Sequence, residues 1–195
     1  ATKLTSDRLF VAGNSYSGKN NTSFSVVRYG NVMGSRGSII PFFMSLKNKN
    51  ELPITDERMT RFMISLEHGV QLVWHAFDDM VGGEIYIKKI PSMKVTDIAR
   101  VIAPNAKQKI IGIRPGEKLH EQMIGIEDSP YTYEYTNHFK ILPQINNWDK
   151  DAERFKDGIK VKKNFIYNNE NNSKWMTKSD LQAWININQK FLGKI

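Results

Sequence analysis

The chain predicts an α/β fold. Two observations carry that reading. Segments of helical period alternate with short runs of β-formers along the sequence. One of those runs, Phe24 to Arg28, breaks into a loop, Tyr29 to Ser38, that holds an amide, three glycines, two serines and an arginine. In open α/β sheets ligands bind just beyond the carboxyl ends of strands, so a polar, glycine-rich loop at that place is where function is expected.

The elements follow in order. The chain opens in a helical pattern with Leu4, Arg8 and Val11 on one side, and Asn14 to Ser23 reads as a surface loop. Phe24 to Arg28 alternates β-formers with Ser and reads as a buried strand. Pro41 suits the first turn of a short helix through Phe42, Phe43 and Leu46. Ser65 is an N-cap candidate for a helix that presents Leu66, Val70, Val73, Trp74 and Phe77 on one face and closes near Gly82-Gly83. On that reading Trp74 and Phe77 form a core stripe. Glu84 to Ile87 alternates as a strand, Thr96 opens a helix through Ile98, Val101 and Ile102, and Lys109 to Ile113 is the next strand. The tail from Gly125 is more polar. It ends in a helix started by Thr177, with Asp180 at capping-box spacing. There is no internal repeat, and only Asn168 to Asn172 approaches low complexity.

Composition excludes several function classes. The 195 residues are 40% hydrophobic and 25% charged, which is ordinary for a water-soluble protein able to bury a core in one or two domains. No cysteine is present, so disulfides, thiolate nucleophiles and cysteine-ligated zinc are out. No apolar run approaches the roughly 18–20 residues that cross a bilayer. A net charge of +8 raises nucleic acid as a partner, but the basic residues are scattered and Lys160, Lys162 and Lys163 form the only tight cluster. Neither nucleic acid nor membrane is expected as a partner, and the location expected is cytoplasmic. His68, His75, His120 and His138 are too dispersed along the chain to predict a metal site.

The chemistry-bearing residues lie in four strings. The first is Lys3 in Ala1-Thr2-Lys3-Leu4. The second is the Tyr29–Ser38 loop, where glycines allow close backbone approach, Asn31 offers a donor and an acceptor, and Arg36 can fork onto phosphate. The third is Pro53-Ile54-Thr55-Asp56-Glu57-Arg58-Met59-Thr60-Arg61-Phe62, and the fourth Ile113-Arg114-Pro115-Gly116-Glu117-Lys118-Leu119-His120-Glu121. Planar, permanently charged guanidinium suits phosphate oxygens better than lysine does. The competing reading of Arg61 and Arg114 is surface ion pairing with Glu57 and Glu121.

Together these strings, with Gly82-Gly83-Glu84-Ile85-Tyr86 and Ile90-Pro91-Ser92-Met93-Lys94, resemble the C-terminal part of an extended short-chain dehydrogenase/reductase. More narrowly they resemble the inverting UDP-N-acetylglucosamine 4,6-dehydratases of pseudaminic acid biosynthesis. The likeness is strongest from Phe24 to Met123. It implies a Rossmann-like cofactor domain represented by 1–34 and 62–90, and a sugar-nucleotide domain of 35–61 and 91–195. It implies NADP as cofactor, met by Lys3, Tyr29, Val32, Gly34, Ser35 and Arg36, with Lys3 the one catalytic residue. It implies UDP-N-acetylglucosamine as substrate, met by Asn31, Thr55, Arg61, Arg114 and Glu117, no metal, and a homo-oligomer. The two arginines would clamp the diphosphate and Glu117 would take the ribose hydroxyls.

In that family Lys3 closes a Tyr-x-x-x-Lys pair whose tyrosine would lie two residues before Ala1. The glycine-rich fingerprint and a catalytic Asp-Lys pair would lie further upstream, so the chain is expected to be a C-terminal piece, inactive alone. Thr60 departs from the Asp of many relatives, although the narrower dehydratase group also carries Thr. The alternatives are a capsular-polysaccharide dehydratase or epimerase, and a non-catalytic nucleotide-sugar-binding module.

Overall fold

A computed structural model describes residues 2–18, 22–145 and 147–192 of the chain. The chain forms two compact units. The first comprises 1–29, 67–89 and 123–167, and the second 30–66, 90–122 and 168–195. The architecture is α/β with mixed sheets, as the alternation of segments predicts.

The first unit holds two helices, Thr2–Gly13 (α1) and Leu66–Asp79 (α3, whose first residue precedes the unit boundary). Its sheet is built from Val26–Arg28 (β1), Ile85–Lys88 (β5), Thr132–Glu134 (β9), His138–Ile141 (β10) and Ile159–Lys160 (β11), in the order β1-β5-β10-β9-β11. Only β1 and β5 run parallel; β10, β9 and β11 add antiparallel strands. The first strand is shorter than expected and only half-buried. Asn14, placed by sequence in a surface loop, in fact accepts from the Phe24 amide at 2.9 Å and donates to the Phe24 carbonyl at 2.9 Å. Lys19, Asn20 and Asn21 of that predicted loop lie outside the described residues.

The helix α3 corrects one expectation. Trp74 and Phe77 are each 64% exposed, and the face turned inward carries Gly69, Leu72 and Ala76. Leu72 and Ala76 pack with the fully buried Tyr86 of β5. The small side chain of Ala76 lets the helix approach its sheet closely, which the bulky face cannot do. The predicted core stripe is therefore an outer face.

The second unit is built on Asn31–Val32 (β2), Glu51–Ile54 (β3), Thr60–Ile64 (β4), Ser92–Lys94 (β6) and Lys107–Ile110 (β7), with helices Ile39–Ser45 (α2), Val95–Ile102 (α4) and Lys178–Leu192 (α5). Its strands form the sheets β2-β4-β6 and β3-β7. Two more short strands, Gln122–Ile124 (β8) and Tyr167–Asn168 (β12), fall where the chain passes from one unit to the other. A single cluster that includes Ile40, Phe43, Leu52, Ile54, Ile98 and Leu181 fills the unit. Each such side chain contributes about 1.5–3 kcal/mol on burial. Helix α4 starts one residue before Thr96, with Lys94 as N-cap, and carries Asp97 in its first turn and Arg100 in its last, complementing the helix dipole.

The division of the chain follows other bounds than the sequence reading. Residues 123–167 group with the first unit because β10 pairs antiparallel with β5. Residues 30–34 and 62–66 group with the second because β2 pairs with β4.

Candidate functional site

The second unit carries most of the predicted site. Gly30 precedes β2, and a Cβ there would collide with Cβ of Phe62, so only glycine lets the chain run beside β4. Strand β2 then pairs in parallel, Asn31 with Met63 and Val32 with Ile64. Beyond it the chain turns through Gly34, with φ of +75°, where a Cβ would sit 2.9 Å from Trp184 and Leu192. That glycine is explained by close packing on α5. Ser35 and Arg36 are exposed in the turn. The side-chain carbonyl oxygen of Asn31 is buried with no hydrogen-bond partner among the described residues. A buried acceptor without a donor marks a place for a donor on a ligand or a water.

Strands β3 and β7 are parallel neighbours, and the Ile111 amide extends the ladder to the Ile54 carbonyl at 2.8 Å. Thr55 thus follows the carboxyl end of one strand, and 111–114 follows the carboxyl end of the next. This is the strand edge at which α/β sheets bind ligands. The loop that begins at Arg114 is a closed turn. The Glu117 amide donates to the Arg114 carbonyl at 3.0 Å, the Arg114 amide donates to Glu117 Oε2 at 3.0 Å, and Gly116 has φ of +85°. One carboxylate oxygen of Glu117 therefore holds its own loop. Arg114 is exposed, and its guanidinium has no ion-pair partner among the described residues.

Arg61 is held differently. Its Nη1 donates to the carbonyls of Thr60 at 2.7 Å and Leu119 at 3.2 Å, while Nε lies 3.8 Å from Glu121. The Glu121 pairing weighed from sequence is thus present, at a distance too long for a hydrogen bond. More informative is the link to Leu119, which ties β4 to the backbone that leads on from the Arg114 loop.

That link rests on residues the sequence reading missed. Thr60 Oγ1 lies 2.7 Å from His120 Nδ1 and 2.9 Å from Asn169 Oδ1. Asn169 also donates to the Thr60 carbonyl at 3.0 Å and accepts from the Glu121 amide at 2.9 Å. Thr60 and Asn169 are both buried. Close by, the side chain and then the backbone amide of Arg58, with His120 adding a weaker pull, hold Asp56 down at about 2. The threonine had been noticed as a departure from Asp, and the asparagine sits in a stretch that looks like mere composition.

Lys3 and Tyr29 belong to the first unit. Lys3 is exposed on α1 and Tyr29 is 45% exposed just past β1. Arg28, also missed, fixes this region. Its Nε donates to Asp7 at 2.7 Å, and its Nη1 donates to the Met123 carbonyl at 2.8 Å and to Asp128 at 3.1 Å. Asp7 lies four residues after Lys3, on the same helix face. The ion pair therefore brings the Lys3 face of α1 to the strand end that carries Tyr29.

A family profile described as "Polysaccharide biosynthesis protein" matches residues 1–143. A Campylobacter jejuni protein described as "UDP-N-acetylglucosamine 4,6-dehydratase (inverting)" is 53% identical over 98% of this chain and 59% of its own length. A Rickettsia bellii protein described as "UDP-glucose 4-epimerase" is 37% identical over 71% of the chain and 42% of its own length. Among solved structures, the X-ray structure of Pen from Bacillus thuringiensis matches with a TM-score of 0.82 at 32% identity, covering 97% of this chain and 57% of that one. The chain spans less than two thirds of the length of these relatives.

Proposed function

The chain belongs to the polysaccharide biosynthesis protein family, and on that premise we propose that it is the sugar-nucleotide-binding part of a C5-inverting UDP-N-acetylglucosamine 4,6-dehydratase. The reaction comes from likeness to the Campylobacter protein of that name, which covers nearly the whole chain. The geometry supports it in one respect above all. The Arg61 side chain is bonded to the carbonyl of Leu119, so a hydrogen bond ties it to the segment that follows the Arg114 loop.

In this reading the guanidinium groups of Arg61 and Arg114 bind the diphosphate, Thr55 adds a hydroxyl at the same strand edge, and Asn31 offers its unpaired oxygen to the sugar nucleotide. Glu117 takes the ribose hydroxyls through the oxygen not bonded to the Arg114 amide, or by releasing that bond. A nicotinamide cofactor fits the first unit, where an exposed cation and an exposed aromatic ring flank the carboxyl end of a parallel strand. When bound it supplies the hydride acceptor at C4 and donor at C6 of the hexose. The preferred form is NADP. Lys3 places its charge beside the cofactor ribose and lowers the pKa of a tyrosine furnished by a preceding segment. The net reaction removes water across C5 and C6 and returns a proton to C5 from the opposite face. The whole enzyme is a cytoplasmic homo-oligomer serving surface-glycan synthesis. On this reading the 35–61 and 91–195 segments serve the sugar nucleotide, apart from 123–167, which groups with the cofactor side.

The arginines test the reading. In a chain extended to the length of its relatives, Arg61→Ala or Arg114→Ala should weaken UDP-sugar binding at least about tenfold, since a charged hydrogen bond contributes about 1.5–3 kcal/mol. NADP affinity should stay nearly unchanged. Unaltered UDP-sugar binding in both variants would return the arginines to a purely structural role.

A further inference from the structure

We propose that His75 and His138 form a two-histidine site for a divalent d-block cation such as Zn(II). The residues are far apart in sequence, on α3 and at the start of β10, and the fold of the first unit brings their Nε2 atoms to 3.3 Å. Two bonds of roughly 2.0–2.1 Å meeting at the tetrahedral angle place their donor atoms about 3.3 Å apart. The ring centres are 4.5 Å apart with planes at 62°, and a small opening of the pair directs both lone pairs at one ion.

Both rings are oriented in advance. His138 stacks on Tyr135 at 4.5 Å and 4°, and His75 meets the buried Tyr86 edge-on at 5.8 Å and 88°. These ring contacts limit how far either ligand moves when the metal arrives. Without an ion the two nitrogens share one proton, which a cation displaces.

The charges around the pair are compensated. Lys140 is bonded to Asp79 at 2.5 Å and Lys89 to Glu134 at 2.7 Å. The neutral imidazole is the form that binds metal. Among the described residues no group of three or more His, Cys, Asp or Glu side chains converges, so the remaining positions go to water. Imidazole donors favour d-block ions over Mg²⁺ or Ca²⁺. His75 is exposed, which leaves the ion a path in.

Zinc titrated into the 195-residue chain near pH 7.5, followed by competition with a coloured chelator, tests the site. One saturable site is expected, with no competition from Mg²⁺. H75Q and H138Q should each weaken it at least about tenfold, while H68Q on the same helix leaves it unchanged. Circular dichroism checks folding, and if H138Q does not fold, the exposed H75Q and the imidazole ¹⁵N spectrum of the unaltered chain decide. Zinc should move Nε2 of His75 and His138 alone. Absence of saturable binding, binding that survives H75Q, or shifts at other histidines overturns the proposal.

Discussion

Thr60 Oγ1 lies 2.7 Å from His120 Nδ1, and the bonds around the pair decide which of the two donates. Asn169 must turn its NH₂ to the Thr60 carbonyl and its oxygen to the Glu121 amide. That oxygen also faces Thr60 Oγ1, so the hydroxyl proton goes to Asn169. Only lone pairs remain for His120, which therefore carries its proton on Nδ1. The chain of bonds holds the 119–121 backbone, and with it the carbonyl that receives Arg61, against β4.

Replacing Asn169 by Leu takes one partner each from the Thr60 carbonyl and hydroxyl, which keep Arg61 and His120, and takes the Asn169 oxygen from the Glu121 amide. One unsatisfied buried group costs about 1–3 kcal/mol, so urea denaturation should show a loss of about that size. In the extended chain UDP-sugar affinity should fall with it, because Arg61 loses its anchor. A variant of unchanged stability would show that the network carries no weight.

A second polar staple sits in the first unit. Glu84 and Arg154 are buried and paired at 2.5 Å, with Gly82 N–H and Ser25 Oγ also donating to the carboxylate. Arg154→Met leaves a buried carboxylate without its cation. Breaking such a pair from one side costs about 3–5 kcal/mol, which thermal or urea unfolding reads directly. A loss below 1 kcal/mol would mean that water replaces the arginine.

What was legible in the sequence was mostly local. The capping box was read from spacing alone, and it is made: the Thr177 amide donates to Asp180 at 2.9 Å and the Asp180 amide to Thr177 Oγ1 at 3.1 Å. Three strands, β1, β5 and β7, followed from the sequence with ends displaced by a few residues, whereas others, such as β4 and β10, were not read from it. The burial of α3 was not legible, because size and hydrophobicity favoured Trp74 and Phe77 whereas packing on Tyr86 selected Leu72 and Ala76. Nor was the tail. Asn169 and Asn172 look like low complexity, yet both are buried, and Asn172 donates to the Ile90 carbonyl at 2.7 Å. Thr60 lies 109 residues from Asn169 and Ile90 lies 82 residues from Asn172, where no spacing rule reaches. Arg28 escaped for the same reason.

His138 gives the first unit a pH dependence with a definite sign. Burial, then the neighbouring His75, hold it at about 4, against about 6.5 in an unfolded chain. Between those values the unfolded state binds the extra proton, so stability is full above about pH 6.5 and falls as the pH drops toward 4. His138→Gln removes this contribution. Its stability curve should be flatter than that of the unaltered chain between about pH 6.5 and 4 when both are followed by urea unfolding. Parallel curves would contradict the buried, neutral histidine.

The central claim is the reaction. The chain extended to the length of its relatives should be given UDP-N-acetylglucosamine and NADP in deuterium oxide, and the fresh product read by proton couplings. A 4-keto-6-deoxy sugar with deuterium at C5 and the L-arabino configuration is expected, while the 195-residue chain alone forms none. A product that keeps the D-xylo configuration from the earliest time points would contradict the inversion, and a 4-epimer with its 6-hydroxyl intact would replace the dehydratase by an epimerase.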